Sequence, residues 1–165
     1  MRPEPKAWRL SAAPLLALAL ALPAAAQDKP CAKAGEAVDK VLTWTALRIA
    51  VKDYGHCDKG ETKEIFTDAL MRVAVGGWPK VAELSPLWAD DAFRGWILKR
   101  LEDPASPKGD TDDLNDLAGA SCPKNMLKIC EQMQVAINKG REAALPKKAP
   151  PPPAPAPAAP AKPAT

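Results

Sequence analysis

The residues best suited to nucleophilic chemistry are His56, the single histidine, and its neighbour Cys57. An imidazole that takes the proton of a thiol is the usual way to activate a cysteine nucleophile. Because adjacent residues rarely aim their side chains at each other, we expect no such pair here. One imidazole without a Cys-x-x-Cys spacing is also too little for a zinc site. We therefore predict no catalytic residue, no metal centre and no cofactor at this position.

Ser121 and Lys124 have the Ser-x-x-Lys spacing of penicillin-binding enzymes, in which the serine attacks and the lysine helps to remove its proton. The Ser-Asp-Asn and Lys-Thr-Gly elements that accompany it in those enzymes do not occur in the sequence. We interpret the match as coincidence and predict that the chain is not an enzyme.

Two acidic groups invite a cation-binding interpretation. Glu61, Glu64 and Asp68 share one helix face, which makes them weak candidates for binding a cation or a basic partner, with a solvated face as the alternative. The second group consists of Asp110, Asp112, Asp113 and Asp116. It lacks the glycine and the final glutamate of a calcium loop, so we assign it to the N-terminus of a helix, where acidic residues are favoured.

Four cysteines predict two disulfides, formed by Cys31, Cys57, Cys122 and Cys130. One continuous helix between the members of either neighbouring pair would hold their Cα atoms farther apart than the roughly 7 Å that a disulfide allows. A break at Thr43 would bring the first two together, and a helix beginning at Asn125 would bring the last two together. The local pairs Cys31–Cys57 and Cys122–Cys130 are slightly preferred, and pairing of Cys57 with Cys122 or Cys130 stays open.

The N-terminus indicates export. Basic residues precede an apolar run from Leu10 to Leu22, and Ala24 to Ala26 supply the small residues of a cleavage site, so residues 1–26 are predicted to be a signal peptide. Charged and cyclic residues before Cys31 argue against a lipid attachment signal. We expect a soluble protein in the periplasm or outside the cell, with no membrane insertion after cleavage.

The last twenty residues, 146–165, are almost all proline, alanine and lysine. Such a segment cannot bury enough apolar surface to become ordered, so we predict a disordered tail, with cell-wall contact as a second interpretation. Residues 27–145 hold 17 basic and 19 acidic side chains. Without clustered lysine and arginine, no nucleic-acid partner is expected.

Between these ends, apolar residues recur at helical spacing, and residues 27–145 are predicted to form one small, irregular, disulfide-stapled bundle of five to six helices. The predicted core positions include Phe93, Trp96, Ile97 and Leu101 and, in the last segment, Met126, Ile129, Cys130, Met133, Ala136 and Ile137. The predicted N-caps are Thr43 (unless a single bent helix crosses it), Asp58 with Glu61, Ser85, Asp90 or Asp91, Thr111 and Asn125. The pair Gly76-Gly77 is predicted to end a helix in the left-handed conformation, with Pro79 in the first turn of the next helix.

Several short motifs resemble a group of small exported proteobacterial proteins of uncharacterised function. They are Thr43-Trp44, Tyr54-x-x-Cys57-Asp58-x-Gly60, Phe66-x-Asp68, Trp78, and Cys122-Pro123 followed by Cys130. The resemblance implies the fold and the compartment but no active site. Size, export and disulfides also give a looser analogy to the periplasmic immunity proteins that neutralise cell-wall amidases of type VI secretion systems.

These observations favour a non-enzymatic protein-interaction module with an unidentified protein partner, of which an inhibitor or immunity protein is the most concrete version. The alternative is a periplasmic ligand- or cation-binding helical protein.

Overall fold

A computed structural model describes residues 29–146, and all regular structure in this range is helical. The predicted signal peptide, 1–26, and all of the predicted tail beyond Pro146 lie outside the described residues. The α-helices are α1 (Ala34–Asp39), α2 (Trp44–Tyr54), α3 (Glu61–Met71), α4 (Leu84–Leu87), α5 (Asp91–Leu101), α6 (Lys108–Ala120) and α7 (Leu127–Ala144). The predicted all-α class is confirmed. The described part has seven α-helices instead of five or six, because α1 and α4 are short.

Tight turns join most of these helices. The 3₁₀ turns are Cys31–Lys33, Gly55–Cys57, Trp78–Glu83 and Lys124–Met126, and a π turn covers Arg72–Gly76. None of the helices between residues 29 and 146 has the length and apolar character needed to cross a bilayer.

Thr43 separates α1 from α2, as the two-helix interpretation predicts. Its backbone is extended (φ −138°, ψ 157°), and its hydroxyl accepts a hydrogen bond from the Ala46 N–H at 3.2 Å. An N-cap residue needs this conformation, because its side chain must turn back onto an unpaired N–H of the first turn. The break turns the chain, so the residues before α1 reach the end of α2.

Both disulfides join neighbours in the sequence, and the local pairing is confirmed. The Cα atoms of Cys31 and Cys57 are 5.4 Å apart, and those of Cys122 and Cys130 are 6.3 Å apart. The second pair closes because α6 ends at Ala120 and a 3₁₀ turn precedes α7. Asn125 lies within that turn and is not the N-cap of α7, a position that Met126 occupies without a side-chain hydrogen bond.

The core is built from one face of every long helix. Helix α1 packs on α3, and α7 packs against both α5 and α6. The largest side chains that are almost wholly buried include Trp44, Phe66, Leu70, Phe93, Ile97, Leu114, Met133 and Ile137. Six positions of the last segment were predicted to face inward, and all are buried: Met126, Ile129, Cys130, Met133, Ala136 and Ile137.

The Gly76-Gly77 prediction is wrong in its mechanism. Gly77 has φ −95°, and among the described residues only Gly60 has a positive φ, of 55°. The Gly77 N–H instead donates to the Arg72 carbonyl and closes the π turn. A Cβ atom on Gly77 would lie 2.5 Å from the Val73 carbonyl oxygen, so glycine is needed here for close approach and not for handedness.

Three predicted helix starts are also wrong. Helix α3 begins after Gly60, because the Asp58 carboxylate is engaged by α5 and does not cap. Ser85 lies inside α4, since the preceding 3₁₀ turn runs directly into that helix. Helix α6 begins at Lys108, and the Thr111 hydroxyl, buried inside the helix, donates to the Pro107 carbonyl.

Two other predicted starts are confirmed. The Asp90 carboxylate accepts from the Phe93 N–H at 3.1 Å and caps α5. Pro79 lies in the first turn of the 3₁₀ segment that begins at Trp78, where its missing N–H leaves no intrahelical bond unmade.

Candidate functional site

Several surface hollows of the described residues surround the loop between α5 and α6. Three hollows meet there, and the Asp103 side chain lines all of them. We name them after one lining residue each: the Trp96 hollow (about 670 Å³), the Asp68 hollow (about 320 Å³) and the Leu145 hollow (about 270 Å³). Together with the Asp103–Pro107 loop they are called the loop face.

The loop itself is fixed by hydrogen bonds from its own residues. The Asp103 carboxylate accepts from the Ala105 N–H at 3.0 Å and pairs with the Lys63 ammonium of α3. The Ser106 hydroxyl donates to the Arg100 carbonyl at the end of α5, 2.9 Å away. These bonds tie the loop to both α3 and α5, so the three hollows keep a fixed arrangement.

The environment of Asp103 sets its protonation. Partial burial alone would raise the pKa of this carboxyl, but the Lys63 ammonium and the Ala105 N–H outweigh that effect and hold the pKa below its ordinary value. The charged form is thus favoured by folding, and stability from this carboxylate is present above the unfolded pKa and is lost as pH falls through the folded pKa.

An Asp103→Asn variant tests this assignment. The wild type is expected to exceed the variant in free energy of unfolding by a constant amount above about pH 5, and the difference should shrink below about pH 4, as the carboxylate becomes protonated. Guanidinium unfolding at pH 7, 5, 4 and 3 measures it. A difference that grows towards acid pH would contradict the assignment.

The floor of the Trp96 hollow is a buried charge cluster. The Asp58 carboxylate accepts from the Trp96 indole N–H at 2.7 Å and also pairs with the Arg100 guanidinium. Both charged side chains are less than a tenth exposed, at 9% for Asp58 and 7% for Arg100. Within the described part of the chain, Asp58 Oδ1 and Arg100 Nε have no hydrogen-bond partner.

Trp96 is held in place by its neighbours while part of it stays accessible. Its ring meets Phe66 edge-on with centroids 5.6 Å apart and stacks on Phe93 at 6.4 Å. The Arg100 guanidinium lies 5.5 Å from the indole ring. Trp96 was predicted to belong to the core, but it is only half-buried and lines the hollow.

The rim of the Trp96 hollow carries an excess of positive charge. Of its acidic residues, Asp58 pairs with Arg100, Asp103 with Lys63, and Glu102 with Lys139 outside the hollow. Lys59 and Lys99 also line it, and neither forms an ion pair with any residue between 29 and 146. Two exposed ammonium groups therefore flank an aromatic wall.

The Leu145 hollow is apolar and lies where α7 ends. Leu101, Ile137, Ala144 and Leu145 contribute its aliphatic surface, and Leu145 is 67% exposed. This surface has no aromatic residue, so it suits an aliphatic side chain.

The three weak metal candidates, Glu61, Glu64 and Asp68, are all exposed on α3. Glu64 and Asp68 line the Asp68 hollow together with Lys63, whereas Glu61 does not. In the second acidic group, Asp110 lies in the first turn of α6, as predicted, and Asp112 pairs with Arg141 at 2.5 Å and with Lys108 at 3.6 Å.

The prediction that His56 and Cys57 point apart is wrong. The 3₁₀ turn Gly55–Cys57 places His56 Nε2 3.2 Å from Cys57 Sγ. In the described residues, Cys31, His56 and Cys57 are the one group of potential metal ligands whose donor atoms converge, all within 4.8 Å. Since both sulfurs belong to the Cys31–Cys57 disulfide, they offer no thiolate to a metal.

Sequence reasoning missed the Asp58–Trp96–Arg100 cluster. A signal was present, because Trp96 and Arg100 are four residues apart and share a face of α5 next to the apolar stripe. Nothing in the pattern identified Asp58 as their partner, since it is 42 residues from Arg100.

Comparison of the chain with protein-family models, with curated proteins and with solved structures finds no match. The resemblance to small exported proteobacterial proteins therefore stays a prediction.

Proposed function

We propose that this chain is a non-enzymatic protein-interaction module of the periplasm or the extracellular space, and that it binds an acidic protein partner through the loop face. The observation that carries the proposal is the meeting of three chemically different hollows at Asp103. The Trp96 hollow has an aromatic wall with a basic rim, and the Leu145 hollow is apolar. The Asp68 hollow is lined by both acidic and basic side chains.

The division of the face into three parts favours a protein over a small molecule. A metabolite site usually gathers its few polar groups in one concave pocket that covers most of the ligand. Here the polar groups are spread over separate hollows around one loop, as in an interface that receives several anchor side chains. Tryptophan and arginine, both present in the Trp96 hollow, are enriched in such interfaces.

Two lysines on the rim of the Trp96 hollow indicate the partner's charge. Lys59 and Lys99 project from the rim of the Trp96 hollow without acidic partners among residues 29–146. A partner with carboxylates at that edge would associate faster and in a defined orientation, because complementary charges steer the encounter.

The covalent chemistry supports the proposed compartment. Two disulfides and no free cysteine favour an oxidising environment, and the predicted signal peptide indicates that the chain is exported. A rigid, stapled domain with a fixed binding face suits an inhibitor or immunity protein. The tail beyond Pro146 would act as a spacer, within reach of the cell wall.

The alternative, a cation-binding protein, has one observation in its favour, namely Glu64 and Asp68 beside each other in the Asp68 hollow. Lys63 lines the same hollow and reduces the negative potential that a divalent cation would need. We therefore favour the protein partner. A saturable rise in melting temperature with calcium, magnesium or zinc would reverse this order.

Charge reversal on the loop face tests the proposal. The Lys59→Glu/Lys99→Glu variant is expected to lose the partner almost completely, since like charges now meet across the interface. Tagged wild-type and variant proteins are exported in the native host, captured without denaturation, and the bound proteins are quantified by mass spectrometry.

The matched control is Lys80→Glu/Lys128→Glu, which makes the same change in net charge at exposed lysines outside all three hollows. A partner retained by wild type and control but lost from the loop-face variant supports the proposal. Equal recovery from all three, or loss from the control alone, would reject the loop face as the binding surface.

A further inference from the structure

We propose that the Cys31–Cys57 disulfide is a site of thiol–disulfide exchange, opened by an external dithiol that attacks Cys31 while His56 assists the departure of the Cys57 sulfur. The reacting partner is defined by its chemistry as a small dithiol or a protein with a reduced dithiol pair. This activity is separate from partner binding on the loop face.

The two sulfurs of this bond differ in access. Cys31 is exposed at the start of the described chain, whereas Cys57 is only 2% exposed. Attack of a thiolate needs a free line of approach to one sulfur and expels the other. The accessible target is therefore Cys31 Sγ, and the leaving group is Cys57 Sγ.

The imidazole is placed at the leaving group and not at the target. His56 Nε2 lies 3.2 Å from Cys57 Sγ, within hydrogen-bond reach of a sulfur. A hydrogen-bond donor at this position stabilises the departing thiolate. Exchange is faster when the leaving sulfur is more stable as a thiolate. Burial alone would work against a thiolate at Cys57, so the ring supplies the compensation that a buried leaving group needs.

The second disulfide has no such arrangement and serves as an internal reference. Cys130 is also 2% exposed, so attack on the half-buried Cys122 would expel a buried sulfur. The polar neighbour described there is the Pro123 carbonyl oxygen, 3.6 Å from Cys122 Sγ, which cannot donate a proton. The two disulfides thus have equally buried leaving sulfurs, but they differ in the access to the attacked sulfur and in the imidazole beside Cys57.

The proposed exchange consists of two successive thiolate attacks. A thiolate of the dithiol attacks Cys31 Sγ, the S–S bond breaks, and its electron pair goes to Cys57 Sγ. This sulfur takes a proton from the His56 ring, which regains one from water. A mixed disulfide now joins the reagent to Cys31. The second thiolate of the reagent attacks the reagent sulfur bound to Cys31 and expels Cys31 as a thiolate, which takes a proton from water. The reagent is oxidised to its disulfide, and Cys31 and Cys57 are reduced to thiols.

Non-covalent contacts keep the opened ends close, which allows the bond to re-form. Ala34 and Val38 of α1 are fully buried, so we expect apolar packing to keep α1 in the core after the disulfide opens. The Lys29 ammonium lies 2.6 Å from the Asp53 carboxylate and 5.5 Å from the centre of the Tyr54 ring, both in the last turn of α2. These contacts hold Cys31 near the Gly55–Cys57 turn.

A time course with dithiothreitol on the folded full chain tests the proposal. Samples are quenched with N-ethylmaleimide and digested with trypsin, which places the four cysteines on four different peptides because lysines separate them in the sequence. We expect Cys31 and Cys57 to be alkylated about tenfold faster than Cys122 and Cys130, an effect of access together with leaving-group assistance.

His56→Gln distinguishes assistance from access, since it removes the imidazole and leaves Cys31 exposed. The variant is expected to open the Cys31–Cys57 bond about fivefold more slowly, with no change at Cys122–Cys130. In guanidinium, where the folded geometry is lost, the Cys31–Cys57 bond should open at equal rates in the wild type and in His56→Gln. Glutathione in place of dithiothreitol should leave its adduct on the Cys31 peptide and not on the Cys57 peptide.

Equal rates for the two disulfides in the folded chain would overturn the proposal. So would an unchanged rate in His56→Gln, or glutathione found mainly on Cys57. Circular dichroism of the variant checks that it is folded. If it is not, the glutathione adduct on the wild-type chain decides alone.

Discussion

Replacing Asp58 by Ala is expected to lower the free energy of unfolding by about 3–5 kcal/mol, the range for a buried charge that has lost its partner. Arg100, which is 7% exposed in the native chain, would lose its counter-charge, and the Trp96 indole N–H would lose its acceptor. Most of the cost arises from leaving the Arg100 guanidinium without a counter-charge.

The reverse change, Arg100→Met, should also destabilise, because it leaves the Asp58 carboxylate buried with one hydrogen bond, from Trp96. The double variant Asp58→Ala/Arg100→Met is expected to recover about half of the summed loss, since neither charge then stays buried alone. Guanidinium unfolding of the four proteins, with disulfides intact, gives the coupling energy directly.

If the Asp58–Arg100 ion pair were exposed to water, the loss of stability would be much smaller. If Asp58→Ala costs less than about 1 kcal/mol, the value typical of surface ion pairs, the cluster is open to water. The Trp96 hollow would then have no fixed floor.

Replacing Gly140 by Ala is expected to destabilise by about 2 kcal/mol, although Ala normally favours a helix over Gly by about 1 kcal/mol. A Cβ at this position in α7 would lie 2.8 Å from the Leu101 carbonyl oxygen and 3.1 Å from the Glu102 carbonyl carbon. These atoms are backbone, so relief requires α5 and α7 to move apart.

The matched control is Gly95→Ala in α5. That position is exposed and also lies inside a helix, but a Cβ there meets nothing within 4 Å. It should gain about 1 kcal/mol from helix propensity alone. Denaturant unfolding of both variants measures the difference, and a Gly140→Ala protein as stable as Gly95→Ala would show that the two helices do not approach so closely.

Much of the fold could be predicted from the sequence because its signals are local. The apolar spacing of the last segment identified every inward residue from Met126 to Ile137. Thr43 and Asp90 were recognisable as N-caps because a capping oxygen acts on an N–H three residues ahead. The slight preference for local disulfides rested on a break at Thr43, which exists, and on a helix beginning at Asn125, where a 3₁₀ turn closes the second pair instead.

The sequence-based predictions fail where a residue distant in the sequence binds the side chain in question. Asp58 had the spacing of a capping residue, but the indole and guanidinium of α5 bind its carboxylate, and Gly60 takes the N-cap position. The approach of α7 to the end of α5 at Gly140 likewise depends on tertiary packing. The loop face could not be predicted for the same reason, because its lining comes from α3, α5, α6, α7 and the turns between them.

The turn Gly55–Cys57 shows a local failure as well. Adjacent side chains diverge in most backbone conformations, and the tight 3₁₀ turn together with the disulfide brings His56 onto the Cys57 sulfur. No residue pattern indicated that turn.

The most direct test of the loop face as a binding surface is site-specific photo-crosslinking in the exporting cell. A benzophenone amino acid replaces Lys99 at the rim of the Trp96 hollow in one strain and Lys80, an exposed lysine outside the loop face, in another. We predict that irradiation links one discrete protein to position 99 and not to position 80. A discrete product from position 80 with none from position 99 would contradict the account.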